Sequence, residues 1–232
     1  RDFCLSRGLG DVYKRQYGMY AKEIYQTAKN GGVTPEGNPS LKRLIDKAKK
    51  DQVPSDVIKR AIDKVSSGAG EDYETLTYEI FGPSGSTLMV KCLTDNVNRS
   101  VSDLRAVVNK CHVKMGAMGS VSYMYDNLCI VGFKGLNEEQ VMDALIANDV
   151  DFVDLESDNE QIIIYGNPQD LFKIKSAISS QKDDIEFTID EISLLPKERI
   201  NLDGEALDEF NRLLTLLDEV DDVQNVYHNV NL

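Results

Sequence analysis

The stretch LCIVGFKGLNEEQVMDALIAN (residues 128–148) joins a continuous apolar run to a segment with helical spacing. It predicts a strand at Leu128–Phe133 followed by a helix at Glu138–Asn148. The same patterns continue downstream, with a turn at Asp158-Asn159 and a helix cap at Asn167-Pro168. The further predicted elements are strands at 152–156 and 161–165, a helix at 168–180 and a strand at 186–193. This βαββαβ order is the ferredoxin-like arrangement.

Residues 17–65 carry a helical period instead. Apolar residues recur at helical spacing from Tyr17 to Asn30, and Gly31-Gly32 is a typical helix stop. Asn38-Pro39 is an N-cap followed by proline at the first helical position, and Pro54 begins a third helix. The segment 66–70 (SSGAG) has the composition of a flexible linker. These residues therefore predict a three-helix unit.

Residues 71–126 predict a hairpin of two strands (76–80 and 88–92), a helix (101–111) and a further strand (121–125). The tail, residues 197–232, predicts a helix capped by Asp203 and a last strand (223–230). One helix covers too little of the ββαβ sheet, and the tail has no partner of its own. We therefore expect the tail to complete that sheet and the ferredoxin-like module to be an insertion. The predicted fold class is α+β: an N-terminal three-helix domain plus two α/β sandwich domains, one inserted in the other. The predicted domains are 17–70, 71–126 plus 197–232, and 127–196.

Residues 1–16 show neither helical nor strand periodicity, and they lack the apolar segment of a secretory signal. We interpret them as a non-native or disordered leader, with a frayed natural terminus as the alternative. No run of 18 apolar residues exists, so the sequence excludes a transmembrane helix.

Charge is distributed unevenly along the 232 residues, whose net charge is −13. Residues 17–70 carry ten basic and six acidic side chains, whereas residues 183–232 carry three and fourteen. The negative net charge argues against a protein whose whole surface binds nucleic acid. The basic segment near the N-terminus nevertheless remains a candidate binding surface.

Catalytic and metal-binding patterns are weak. Four cysteines without a CxxC pair and two histidines make a zinc centre improbable on composition, and the Cys111-His112 pair fits a buried thiol better than a nucleophile. Neither GxGxxG nor GxxxxGK[ST] is present. Adjacent carboxylates at Asp218-Glu219 and Asp221-Asp222 are interpreted as a solvated helix end. We therefore expect no enzyme activity, no cofactor and no metal.

The second helix offers the clearest interaction surface. Arg43, Lys47 and Lys50 lie opposite its apolar face and form a stripe that suits phosphate binding. A merely solubilising surface is the alternative, and Lys59 and Arg60 on the third helix have acidic neighbours with which to pair. Asn98 is the expected cap of the helix that starts at Arg99. Because arginine is unfavourable at a helix N-terminus, Arg99 is a candidate anion ligand. The loop Met115–Ser120 is either a loop that needs glycine geometry or a phosphate-binding loop.

Six blocks of sequence resemble the YebC/PmpR family, and their residues are most similar to those of its YeeN/YeeI branch. They are YGMYAKEIYQTAKNGG (17–32), NPSLKRLIDKAKKDQVPSDVIKRAIDK (38–64), YEIFGPSGS (78–86), LTDNVNRSVSDLR (93–105), GSVSYMYD (119–126) and DDVQNVYHNV (221–230). The resemblance covers residues 17–232. It implies three domains, the last inserted in the second, and a cytoplasmic protein that acts in gene expression without catalysis. Family members include the mitochondrial translational activator of cytochrome c oxidase.

The resemblance also implies where nucleic acid would be contacted: the basic helices of 38–64 and the loops at 96–99 and 115–120. The implied positions are Lys42, Arg43, Lys47, Lys50, Lys59, Arg60, Asn96, Asn98, Arg99, Gly116 and Gly119. In one respect the chain departs from the family pattern, because residues 1–16 replace a short basic segment that contains tryptophan. Nucleic-acid binding is therefore expected to be weaker than is usual in the family.

Three classes of function follow from these observations. The first is a DNA-binding transcriptional regulator. Its rival is a ribosome-associated translation factor that contacts ribosomal RNA and relieves stalling at sequences such as proline runs. The third is a ligand- or protein-binding module built on the ferredoxin-like domain, which rests on fold analogy alone. The expected partner is nucleic acid rather than a membrane, and the expected state is a monomer or weak oligomer in the cytoplasm.

Overall fold

The computed structural model describes residues 2–158 and 160–232, and of residues 2–12 it describes the main chain only. The predicted α+β class is confirmed: N-terminal helices precede two four-stranded sheets that carry further helices. The helices are α1 Asp2–Gly31, α2 Pro39–Lys50, α3 Ser55–Ser66, α4 Val97–Lys110, α5 Glu138–Ala147, α6 Leu171–Ser179 and α7 Gly204–Asp218. The strands are β1 Glu74–Phe81, β2 Thr87–Thr94, β3 Lys114–Met115, β4 Tyr125–Lys134, β5 Asp154–Asp158, β6 Gln161–Gly166, β7 Phe187–Pro196 and β8 Val223–His228.

The three N-terminal helices pack around one apolar cluster. Its buried members come from all three helices and include Ile24, Leu41 and Ile58. The predicted cap Asn38 is confirmed, since its side chain accepts a hydrogen bond from the Leu41 amide at 3.2 Å. Its amide group also donates to the Thr27 and Gly32 carbonyls, which ties the start of α2 to the end of α1.

Helix α1 begins at Asp2, much earlier than the helix start predicted at Tyr17. Helix growth is cooperative, so a segment without strong periodicity can extend a helix that is already anchored downstream. That residues 1–16 are not native remains a hypothesis.

The first sheet has the strand order β3-β1-β2-β8. Its outer strand β8 comes from the tail and lies beside β2, where the Leu93 amide donates to the Asp222 carbonyl at 2.9 Å. The strand predicted at 121–125 is wrong: residues 122–124 form a 3-10 turn, and the sheet's other outer strand is the two-residue β3. Val121 and Tyr125 are buried while Tyr123 between them is exposed. This spacing fits a helical turn and not a strand, in which residues 121, 123 and 125 would share one face.

The second sheet has the order β5-β6-β4-β7, and its central strand β4 runs antiparallel to β6 and to β7. This is the strand order of the predicted ferredoxin-like βαββαβ module. Helices α5 and α6 cover the sheet through a core that includes Phe133, Leu145 and Ile174. The predicted turn at Asp158-Asn159 includes Asn159, which lies outside the described residues.

Two compact units account for the chain. Unit 1 comprises residues 1–78, 90–115 and 208–226, and unit 2 comprises residues 79–89, 116–207 and 227–232. Strands β1, β2 and β8 contribute residues to both units. The domain boundaries inferred from the sequence are therefore kept as a proposal.

Removal of residues 203–232 tests whether the tail belongs to the first sheet. The deletion takes away β8 and three fully buried side chains of α7, namely Phe210, Leu213 and Leu217. We expect an insoluble or molten product, recognised by loss of near-ultraviolet circular dichroism and of a cooperative thermal transition. A soluble truncated protein that unfolds cooperatively would show instead that the tail is an appendage.

Candidate nucleic-acid interface

The outer face of α2 is basic, as the sequence predicted. The helix buries Leu41, Leu44, Ile45 and Ala48 and exposes Lys42, Lys47, Lys49 and Lys50. Arg43 differs from the expectation, because it is half-buried and its Nε atom is enclosed. The exposed part of the predicted stripe is therefore Lys47 and Lys50, flanked by Lys42 and Lys49.

On helix α3, the arginine that was a candidate for phosphate contact is paired within the helix. The Arg60 guanidinium forms an ion pair with Asp56, one turn earlier, as its acidic neighbours indicated. Lys59 is exposed on the same helix. On this helix, therefore, Arg60 is held in an exposed ion pair, whereas Lys59 is exposed to solvent.

Arg99 does bind an anion, but the anion is part of the protein. Its Nη2 atom lies 2.9 Å from Asp222 Oδ1 and 2.6 Å from Asp95 Oδ1, and its Nε lies 3.1 Å from Asp222 Oδ2. The expected cap is also displaced: Asn96, not Asn98, caps α4 by accepting from the Arg99 amide. Asn98 is exposed on the first turn. The Asn96 side chain and the Arg99 guanidinium are thus engaged in internal contacts, and nucleic-acid contact at 96–99 stays a prediction.

Asp222 is the centre of this cluster, and its interpretation as a solvated residue is wrong. Its residue exposure is 2%, whereas Asp221 beside it is exposed. Besides Arg99, its carboxylate accepts from Ser100 Oγ at 2.8 Å, Thr94 Oγ1 at 3.1 Å and Lys22 Nζ at 3.3 Å. Burial favours the neutral acid, but the hydrogen bonds from Arg99 and Ser100 outweigh it, so the pKa of Asp222 lies below its ordinary value.

The glycine loop is organised by a second internal carboxylate, that of Glu79 on β1. Glu79 is 5% exposed and accepts from the amides of Gly119, Val121 and Ser122 at 2.6–2.8 Å. Burial opposes ionisation here too, yet these amides lower the pKa of Glu79 below its ordinary value. The three amides are occupied, so the loop does not offer them to a phosphate.

Both predicted glycines serve the geometry of this loop. Gly119 has a φ of +88°, which favours glycine, and a Cβ on Gly116 would meet the Phe81 ring at 2.9 Å. Met118 at the tip is 98% exposed, and Tyr123 just beyond the loop is 64% exposed. The loop therefore presents apolar side chains on a fixed backbone, a role that differs from phosphate binding.

The sequence did not predict the pocket that lies between α1 and α3. Its lining residues are Ala21, Lys22, Tyr25, Val57, Arg60, Ala61, Lys64 and Tyr73, and its volume is about 260 Å³. The Tyr25 and Tyr73 rings meet edge to face with centroids 5.8 Å apart. Gly70 in the linker is needed for this arrangement, because a Cβ there would lie 1.8 Å from the Tyr25 hydroxyl oxygen. Tyr25 and Tyr73 lie 48 residues apart, and no local pattern in the sequence connects them.

Alternative chemistries find little support among the described residues. Cys92 and Cys129 are buried free thiols, Cys111 is half-buried, and burial raises the pKa of Cys92 to about 12. The side chains that the structure describes, those of residues 13–158 and 160–232, include no group of three that is suited to hold a metal ion. In the same part of the chain no helix is both long and apolar enough to cross a membrane.

Comparison with known proteins identifies the family. The N-terminal domain of TACO1/YebC proteins matches residues 13–68, and the TACO1/YebC second and third domain matches residues 73–230. The chain belongs to the TACO1/YebC family. The resemblance noted from the sequence is thereby confirmed, whereas its assignment to the YeeN/YeeI branch remains a prediction.

Relatives in this TACO1/YebC family are similar over nearly their whole length. A probable transcriptional regulatory protein of Marinomonas sp. (strain MWYL1) is 44% identical over 94% of this chain and 92% of its own. Another so named, from Chromohalobacter salexigens, is 45% identical over 96% and 92%. The crystal structure of a conserved hypothetical protein from Aquifex aeolicus is 31% identical over 94% and 90% of the two chains, with a TM-score of 0.75.

Proposed function

We propose that this protein is a non-enzymatic, cytoplasmic regulator of gene expression that binds nucleic acid through the outer face of α2. The observation that carries the proposal is the division of this helix into a buried apolar face and an exposed face with Lys42, Lys47, Lys49 and Lys50. Such a surface neutralises phosphates without base specificity. The naming of the relatives as probable transcriptional regulatory proteins supports DNA as the target.

Ribosomal RNA is the second candidate target. The chain carries a net charge of −13, which disfavours tight binding to a naked duplex without help from other contacts. The glycine loop adds a rigid apolar tip at Met118, which suits contact with a folded RNA or protein surface better than contact with a phosphate backbone. Sedimentation of cell extract separates the targets: migration with ribosomal particles favours translation, and promoter-specific occupancy by unsedimented protein favours transcription.

The double substitution Lys47→Gln/Lys50→Gln tests the surface itself. Two lost phosphate contacts should lower the slope of log affinity against log salt concentration by roughly 1.4–1.8 and should weaken binding most at low salt. The measurement is a salt titration by fluorescence anisotropy with DNA, with RNA and with purified ribosomes.

The matched control is Lys134→Gln/Lys173→Gln, which removes the same charge from exposed positions of the ferredoxin-like module. It should leave the slope within about 0.3 of the original value, because these lysines would make no phosphate contact. Equal effects of both double substitutions would mean that α2 acts only through the net charge of the protein, and the proposed surface would then be wrong.

A further inference from the structure

The pocket between α1 and α3 combines aromatic, apolar and cationic groups in one small space. Its floor is Ala21, Val57 and Ala61, and Tyr25 and Tyr73 supply the π surface. Its volume of about 260 Å³ lies below the roughly 300–1,000 Å³ of pockets that hold drug-sized ligands. The space therefore suits one small planar group with an attached charge.

Cations surround the two rings at distances typical of cation–π contacts. The Lys22 ammonium lies 5.9 Å from the Tyr73 centroid, and the Lys64 ammonium lies 5.7 Å from the Tyr25 centroid. Arg60 lines the pocket on the same helix as Lys64. A ligand with a flat π system and a negative charge would match both the tyrosine rings and the cations around them.

The cations are paired, but two of the pairs are exchangeable. Lys64 is 4.0 Å from Glu71 and Arg60 is bound to Asp56, and all four side chains are substantially exposed. Exposed pairs of this kind contribute about 0–1 kcal/mol, so a phosphate can replace either carboxylate at little cost. Lys22 differs, because it is bound to the buried Asp222 and so keeps its place near Tyr73.

We propose that this pocket binds one unpaired nucleotide, with the base on Tyr73 and the apolar floor and the phosphate near Lys64 and Arg60. The inference rests on the proposed function and deepens it, because it adds a site for a single unstacked base to a surface that holds the backbone. Stacking on aromatic side chains accepts any base, so the pocket would distinguish single strands from duplexes rather than one sequence from another. Two sources share this chemistry: a nucleotide within a strand and a free mononucleotide.

The test compares Tyr73→Leu with Tyr73→Phe in the full-length protein. Leucine keeps apolar bulk but removes the ring, whereas phenylalanine keeps the ring and loses only the hydroxyl that donates to Glu71. Binding of ten-nucleotide single strands of adenosine or uridine should weaken about 10-fold with leucine and less than about 2-fold with phenylalanine. Binding of a duplex of the same length should be alike in both variants, since its bases are not available.

Further arms locate the phosphate and the source of the nucleotide. Lys64→Gln should weaken the binding of single strands by about 3-fold to 10-fold, whereas Lys173→Gln on α6 should leave their affinity unchanged. Competition by adenosine or uridine monophosphate that depends on Tyr73 identifies a free nucleotide as a ligand. If the mononucleotides do not compete but binding of the single strands depends on Tyr73, the ligand is a nucleotide within a strand.

Equal single-strand affinity of the wild type and Tyr73→Leu, with no effect on mononucleotide binding, would overturn the pocket and leave the basic surface of α2 in place. Tyr73-dependent capture of an acidic peptide with no effect on nucleotides would also overturn it. Wild-type protein that binds no strand, duplex or ribosome would instead refute the proposed function.

Discussion

Substitution of Asp222 by alanine is expected to lower the free energy of unfolding by about 3–5 kcal/mol. The carboxylate is buried and receives hydrogen bonds from Arg99, Ser100, Thr94 and Lys22. Removing it leaves the guanidinium with Asp95 alone of its two carboxylate partners, and it leaves the Thr94 and Ser100 hydroxyl groups to share the Asn96 carbonyl. This loss costs more than the original pair contributed. Urea denaturation followed by far-ultraviolet circular dichroism measures the change.

Asp221→Ala is the matched control, because it removes the same group one residue earlier from an exposed position. It should change stability by less than about 0.5 kcal/mol. Similar losses in the two variants would show that Asp222 acts only as one more surface charge, contrary to the contacts described.

Acid sensitivity of this site follows from the direction of the shift. The pKa of Asp222 in the folded protein lies below its ordinary value of 3.8. Its contribution to stability is therefore complete above about pH 4 and is lost as the pH falls through the folded pKa. Asp222→Asn should flatten the decline in stability below pH 4, and an unchanged decline would assign the acid sensitivity to other carboxylates.

Glu79→Ala is expected to cost about 2–4 kcal/mol and to release the glycine loop. Three amides lose their acceptor, and the Val121 amide belongs to a fully buried residue that water does not easily reach. Hydrogen exchange should become faster at Gly119, Val121 and Ser122, because the loop then lacks the carboxylate that holds these amides.

Glu74→Ala provides the comparison, since Glu74 is an exposed carboxylate at the start of the same strand. It should leave exchange in the loop unchanged. Unaltered protection of the three amides in Glu79→Ala would mean that the loop is held by its own turns and by the Gly116 amide alone.

The features that the sequence predicted well are local ones. The Asn38 cap and the apolar face of α2 are formed within a few residues, and the βαββαβ order follows from consecutive patterns. Asp222 was misjudged because its partner Arg99 lies 123 residues away, and a pair of adjacent carboxylates carries no sign of a distant guanidinium. Glu79 could have been suspected because it directly precedes the apolar residues Ile80 and Phe81 in its strand, but the amides that donate to it, those of Gly119, Val121 and Ser122, have no sequence signature. The pocket at Tyr25 and Tyr73 was missed for the same reason.

The position of β8 beside β2 has a consequence for biosynthesis. The ferredoxin-like sheet is built from strands within residues 125–196, so it can form while the rest of the chain is still being made. Strand β2 ends at residue 94, but its neighbour begins at residue 223. At about 5–20 residues per second, the ribosome needs roughly 6–26 s to supply it. During that interval one edge of β2 lacks its partner, and the nascent chain is exposed to edge-to-edge association with other chains until its last residues emerge.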